Sequence, residues 1–285
     1  PTTMSRLIRE FLQTFEDPEK PLFGPNFWFL KKLGLITPKS TIGKCIDVFL
    51  HETVAFFVIT QYMELYIIRS NLYLVLTNLQ LSMVSVVCVV KSNTFIFWQK
   101  SWRELIDYIT TTDNFERETK DPSRKKILDS YTQHCRQMTY NYWALLLITY
   151  ATVLGTPLMH YVSSSSYREN LRNGTEVFPH IYSSWMPFDK YHSPGSWVTV
   201  AWHVLICSYG ASTIAAYDSS IMVIMVFFGG KLDLLRERCK QMLGSNGVPI
   251  TDHEAEANIR EMHQTHVDVL KYLRLFNSML SPVMF

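Results

Sequence analysis

The chain has 285 residues, 47% of them hydrophobic and 18% charged, against ~25% charged in an ordinary soluble domain. Its 27 basic and 25 acidic residues leave a net charge of +2, too little to neutralise a phosphate backbone, so a nucleic-acid partner is excluded. The five cysteines, Cys45, Cys88, Cys135, Cys207 and Cys239, show neither CxxC spacing nor a histidine cluster, which argues against a zinc site or a disulfide framework.

In chain order, residues 1–45 read as a cytosolic amino-terminal segment. Met4, Leu7, Ile8, Phe11, Leu12 and Phe15 recur at helical spacing opposite Arg6, Arg9 and Glu10, predicting an amphipathic helix on the membrane or beneath the bundle. No secretory leader is visible, and Pro1 in place of Met points to a partial sequence. Residues 21–35, PLFGPNFWFLKKLGL, combine turn signals with aromatics suited to headgroup depth.

Four segments then approach the ~20 apolar residues a helix needs to cross a bilayer: 46–68, 71–91, 142–162 and 197–228. Together they predict a membrane domain over 46–228, with an inner loop at 92–141 and an outer loop at 163–196. Residues 229–266 are charged and helical in pattern, with Gly229-Gly230 expected to break or bend the chain. A stripe of Leu232, Leu235, Cys239 and Met242 follows, then one of Met262, His266, Val269, Leu273 and Phe276. A fifth span starts at 267, carries a kinking Pro282, and is expected to be cut short at 285. The fold class is therefore all-α, a multi-span transmembrane bundle with four complete spans and the start of a fifth.

Basic residues separate this from a soluble helical domain. Seven lie in 1–45, nine in 91–141 and seven in 229–274, whereas the alternate loops hold Arg69, Arg168, Arg172 and Lys190. That alternation puts the amino terminus in the cytosol. Asn173-Gly174-Thr175 is a glycosylation sequon on the outer side of the same path. Trp98, Trp102, Tyr161 and Trp197 gather near span ends as interface anchors. Inside the spans, Asp47, His51, Glu52, Glu64 and Asp218 stand out; Asp47 and His51, one turn apart, are expected to satisfy each other. No HExxH, GxSxG, P-loop or paired-carboxylate pattern occurs, and His263 with His266 reads as a solvated face. Nothing points to an enzyme, a cofactor or a metal.

The stretches SWMPFDKYHSPGSW (184–197), AAYDSSIMVIMVFFGGKLDLLRERC (215–239) and HQTHVDVLKYLRLFNSMLSPVMF (263–285), with the early PLFGPNFWFLKKLGL, resemble insect odorant receptors, and more narrowly their moth pheromone branch. The resemblance implies a seven-span subunit with a cytosolic amino terminus, in the plasma membrane of olfactory sensory neurons. It implies a ligand-binding subunit of a heteromeric odorant-gated cation channel, partnered by a co-receptor and by the bilayer, with residues from Gly229 onward in a cytosolic anchor. The ligand would be a small hydrophobic volatile, such as a long-chain unsaturated alcohol, acetate or aldehyde. A G-protein-coupled receptor would place its amino terminus outside, and a membrane transporter is the other alternative. By helix position, the resemblance puts ligand-binding residues at Tyr73, Thr77, Gln80, Thr152, Gly155, Thr156, Met159, His203, Cys207, Gly210 and Ala211.

Overall fold

The computed structural model describes residues 14–36, 38, 40–178, 180–241 and 251–284. Most of the expected amphipathic segment, Met4 to Leu12, lies outside them. Among the described residues every regular element is helical: α1 Pro25–Lys32, α2 Thr41–Ile67, α3 Leu72–Phe97, α4 Gln99–Arg117, α5 Pro122–Ser163, α6 Ser165–Arg172, α7 Gly195–Gln241 and α8 Asp252–Met284. Local chemistry fixes several starts. Pro25 and Pro122 open their helices where a missing N–H is harmless. Asn71 accepts the Leu74 N–H at 3.2 Å, and Ser164 accepts that of Tyr167 at 3.1 Å. Thr251 and Glu254 cap each other reciprocally, Thr251 N–H to Glu254 Oε2 at 3.1 Å and Glu254 N–H to Thr251 Oγ1 at 3.3 Å.

The chain forms two compact units: Pro1–Lys32, Phe97–Asn141 and Asp218–Phe285 make the first, Leu33–Ile96 and Tyr142–Tyr217 the second. In the first, α4 buries Trp102, Leu105, Ile106 and Ile109, one face at i, i+3, i+4 and i+7. Each such side chain contributes ~1.5–3 kcal/mol when taken from water. Against this face lies α8, with Phe276 edge-on to Trp102 at 6.5 Å and Tyr272 stacked on Tyr108 at 3.7 Å. Asn26 is fully buried and matched at both ends of its amide, donating to Thr139 Oγ1 at 2.9 Å and accepting from Ser219 at 2.7 Å.

An ionic hub completes this unit. Glu116, 2% exposed, accepts from Lys231 at 2.7 Å, Arg124 at 2.5 Å and Arg238 at 2.9 Å, and Arg238 reaches on to Glu261 at 2.7 Å. Burial pushes the Glu116 carboxyl up, but the surrounding cations, Lys231 foremost, outweigh it and hold the group below its usual range. Lys231 is buried rather than solvated. On α7 the apolar stripe shifts accordingly: Leu234 and Leu235 are buried while Leu232 and Cys239 are exposed. On α8 the buried positions are Val269, Phe276, Met279 and Leu280; His263, His266 and Leu273 face outward.

The expected break at Gly229-Gly230 does not occur, since α7 runs from Gly195 to Gln241 without interruption. Gly230 serves close approach instead. A Cβ there would sit 2.6 Å from the Tyr131 ring, whereas one at Gly229 would meet nothing.

In the second unit, Val54, Phe57 and Ile206 form one buried cluster and Phe178, Ile181 and Val200 another. Much of the remaining apolar surface faces outward: Phe49 is 71% exposed, Leu147 66% and Leu205 65%, and no residue of α5 from 142 to 163 is fully buried. Apolar exposure on that scale marks a surface covered by lipid or by further protein. Among the described residues three helices, α3, α5 and α7, are long and apolar enough to cross a membrane. The chain is a membrane protein. His51 does not satisfy itself with Asp47 as expected: its Nδ1 lies 3.0 Å from the Tyr209 hydroxyl, which also donates to the Leu33 carbonyl at 3.2 Å. A tyrosine on a facing helix reaches the imidazole more squarely than a short carboxylate one turn away on the same helix.

Candidate functional site

Within the second unit four helices and one outer segment enclose a cavity of about 190 Å³. From α3 come Leu81, Val84, Ser85 and Cys88; from α5, Leu146, Thr149, Tyr150 and Val153; from α7, Ile206, Cys207, Gly210, Ala211 and Ile214. Each set spans about two turns on a single helical face, which is why side chains that far apart in sequence converge. Val54 of α2 and Tyr182 of the outer loop close the wall.

The polar groups of this wall are internally satisfied. Ser85 donates to the Leu81 carbonyl at 3.1 Å, Thr149 to Leu145 at 3.0 Å and the Cys88 thiol to Gly210 at 3.6 Å. Ser208 donates to the Val204 carbonyl at 2.7 Å, so the 2.6 Å contact between Tyr150 and Ser208 has the tyrosine as donor. Hydroxyls spent on carbonyls leave lone pairs, and the cavity is apolar with a few acceptor oxygens at its edges.

The outer loop roofs the cavity. Trp185 N–H donates to the Thr60 carbonyl of α2 at 3.0 Å. Lys190 ion-pairs with Glu64 at 2.7 Å and donates to the Ser184 carbonyl at 2.8 Å, with both charged side chains about nine-tenths buried. His203, with no exposed surface, accepts the Tyr182 N–H on Nδ1 at 3.4 Å and meets Ser184 Oγ through Nε2 at 2.8 Å. Since Nδ1 accepts, the imidazole carries its proton on Nε2 and donates to the serine. Tyr182 itself packs edge-on against Phe57 at 5.5 Å and His203 at 5.6 Å. Glu64, conspicuous in sequence as a charge within an apolar run, is thus the anchor of the segment between α6 and α7.

Of the residues expected at the site, Cys207, Gly210 and Ala211 line the cavity, and His203 holds the roof. Tyr73, Thr77, Gln80, Thr152, Thr156 and Met159 are exposed and Gly155 is half-buried, none of them on the cavity wall. Gln80 and Thr152 neighbour wall residues in sequence but are exposed on other faces, while Tyr73, Thr77, Gly155, Thr156 and Met159 lie beyond the ends of the wall at Leu81 and Val153. Phe178, Ile181 and Tyr182 fill the space nearer the outer helix ends, and the cavity sits deeper. Ser85, Cys88, Tyr150 and Tyr182 escaped the sequence reading; the small-and-polar stripe Leu81, Ser85, Cys88 on α3 was the available signal.

The pattern described as 7tm Odorant receptor matches residues 71–285. No curated protein matches the chain. Among solved structures it is similar to the insect olfactory receptor OR5 from Machilis hrabei, with a TM-score of 0.72 at 14% identity over 98% of this chain and 67% of that one. It is likewise similar to the same receptor in complex with eugenol, with a TM-score of 0.71 at 14% identity and the same coverage. At that identity the likeness speaks for the fold, whereas the sequence match takes in most of the chain. Helices, exposed apolar faces and sequence pattern agree: the chain belongs to the 7tm Odorant receptor family.

Proposed function

We propose that this chain is the odorant-binding part of a receptor that holds a small volatile in the α2–α3–α5–α7 cavity, and that the whole receptor is a subunit of a heteromeric odorant-gated cation channel with a co-receptor. The path behind this reading crosses the plasma membrane of an olfactory neuron four times before a fifth span begins, with the amino terminus inside. The carrying observation is the apolar cavity itself, in a member of this family. The related Machilis receptor in complex with eugenol supports a volatile ligand.

Size narrows the ligand. A dry cavity of ~150 Å³ takes up benzene, so about 190 Å³ suits a ring with a short substituent or a comparably compact chain. An unsaturated alcohol, acetate or aldehyde of moth-pheromone length fits with its head in the cavity, and its tail must widen the wall. Each buried CH₂ contributes ~0.8 kcal/mol and one head-group hydrogen bond ~0.5–1.5 kcal/mol, so tail length sets affinity once the wall has opened. The moth pheromone branch rests on the resemblance of the sequence stretches at 21–35, 184–197, 215–239 and 263–285 alone.

The test is electrophysiological. Full-length receptor co-expressed with a co-receptor is expected to pass cation current to eugenol-sized volatiles, or to C10–C18 alcohols, acetates or aldehydes. Uptake without conductance would make it a transporter, and a response abolished by blocking nucleotide exchange would make it a G-protein-coupled receptor.

A further inference from the structure

We propose that Tyr182, carried by the outer loop rather than by a span, is the hydrogen-bond donor that selects ligands bearing an acceptor oxygen. The proposal rests on the reading of the cavity as the ligand site. Among the described lining residues, the hydroxyls of Ser85, Thr149 and Tyr150 are committed to oxygen acceptors at 3.1, 3.0 and 2.6 Å. Among the described hydrogen bonds none ties the Tyr182 hydroxyl to an oxygen acceptor, and the side chain beside it on the cavity wall is the Cys207 thiol. Sulfur is a weak acceptor. A carbonyl, ester or ether oxygen entering the cavity therefore outcompetes Cys207 for this proton, whereas it gains nothing by displacing the others. Burial also pushes the phenol above its ordinary range, so it stays protonated as a donor.

The donor is positioned as firmly as a helical residue. Its N–H is held by His203, its ring lies between Phe57 and His203, and the segment carrying it is pinned by Lys190 on Glu64 and by Trp185 on Thr60. Tyr182 can turn from sulfur to ligand oxygen without the segment moving, so selection needs no rearrangement of the loop.

Matched probes of similar shape isolate the effect: acetophenone, with a carbonyl, and ethylbenzene, without one. In membranes bearing the full-length receptor, methyl methanethiosulfonate modification of Cys207, read by mass spectrometry of its peptide, reports occupancy without requiring gating, with buried Cys135 as control for unfolding. Acetophenone is expected to protect Cys207 at a concentration ~3- to 10-fold lower than ethylbenzene, the span of one neutral hydrogen bond. Tyr182→Phe is expected to bring the two concentrations together. As a second variant, Cys207→Ser offers the phenol a stronger acceptor and is expected to shrink the preference, with Cys88 on the same wall as reporter. A preference that survives in both variants overturns the role of Tyr182 and leaves the cavity as ligand site intact. Failure of either compound to protect Cys207 at saturation overturns the cavity reading and this proposal with it.

Discussion

His180 shows how the outer loop meets solvent chemistry. Burial first, and the Lys190 charge second, push its imidazole down to about 4 from the ordinary value near 6.5. Its ring lies among Phe178, Tyr191 and His203, so a proton gained there finds Lys190 nearby and no matching anion of its own. The folded state binds this proton less readily than the unfolded chain, so stability rises with pH through the window. It is fully present above about pH 6.5 and is lost as pH falls toward 4. The melting temperature of the purified receptor is expected to drop between pH 7.5 and pH 5, and His180→Phe is expected to shrink that drop. An unchanged pH dependence in the variant would remove His180 from the account.

Neighbouring glycines on α7 make opposite predictions for the element that carries them. Gly230 lies against Tyr131, whose hydroxyl is fixed at 2.6 Å on Asp113, so the ring cannot retreat from an added methyl. Gly230→Ala is expected to destabilise by ~1–3 kcal/mol through overpacking, while Gly229→Ala, facing open space, is expected to stabilise by ~0.5–1 kcal/mol. Parallel thermal melts decide the matter. The same helix marks what sequence can and cannot tell. Hydropathy picked out the apolar stretches that fall within α3, α5 and α7, because a span obeys a length rule that needs no partner. Continuity through Gly229-Gly230 was hidden, because only the position of Tyr131 distinguishes a glycine that breaks a helix from one that admits a neighbour. The burial of Lys231 against Glu116 is hidden for the same reason, since nothing local in the sequence marks its partner.

Across the whole molecule, the segment between α6 and α7 adds a wall residue to the cavity that no helix supplies. Tyr73, Thr77 and Gln80 lie on exposed faces of α3, whereas Tyr182 of that segment joins the cavity wall with Leu81, Ser85 and Cys88. A loop without periodicity gives no such warning. The proposed path has a direct check: a tag at Pro1 is expected to be reached by antibody only after permeabilisation, and Asn173→Gln to abolish glycosidase-sensitive mobility. Asn173 caps α6 on an exposed turn beside Gly174 at φ +71°, where a transferase can reach it. Finally, no side chain among the described residues of the cavity wall is cationic. An ionised fatty acid would surrender its hydration for at most one phenol donor and no counter-charge, so at neutral pH organic acids are turned away by charge before their size matters, while their esters pass.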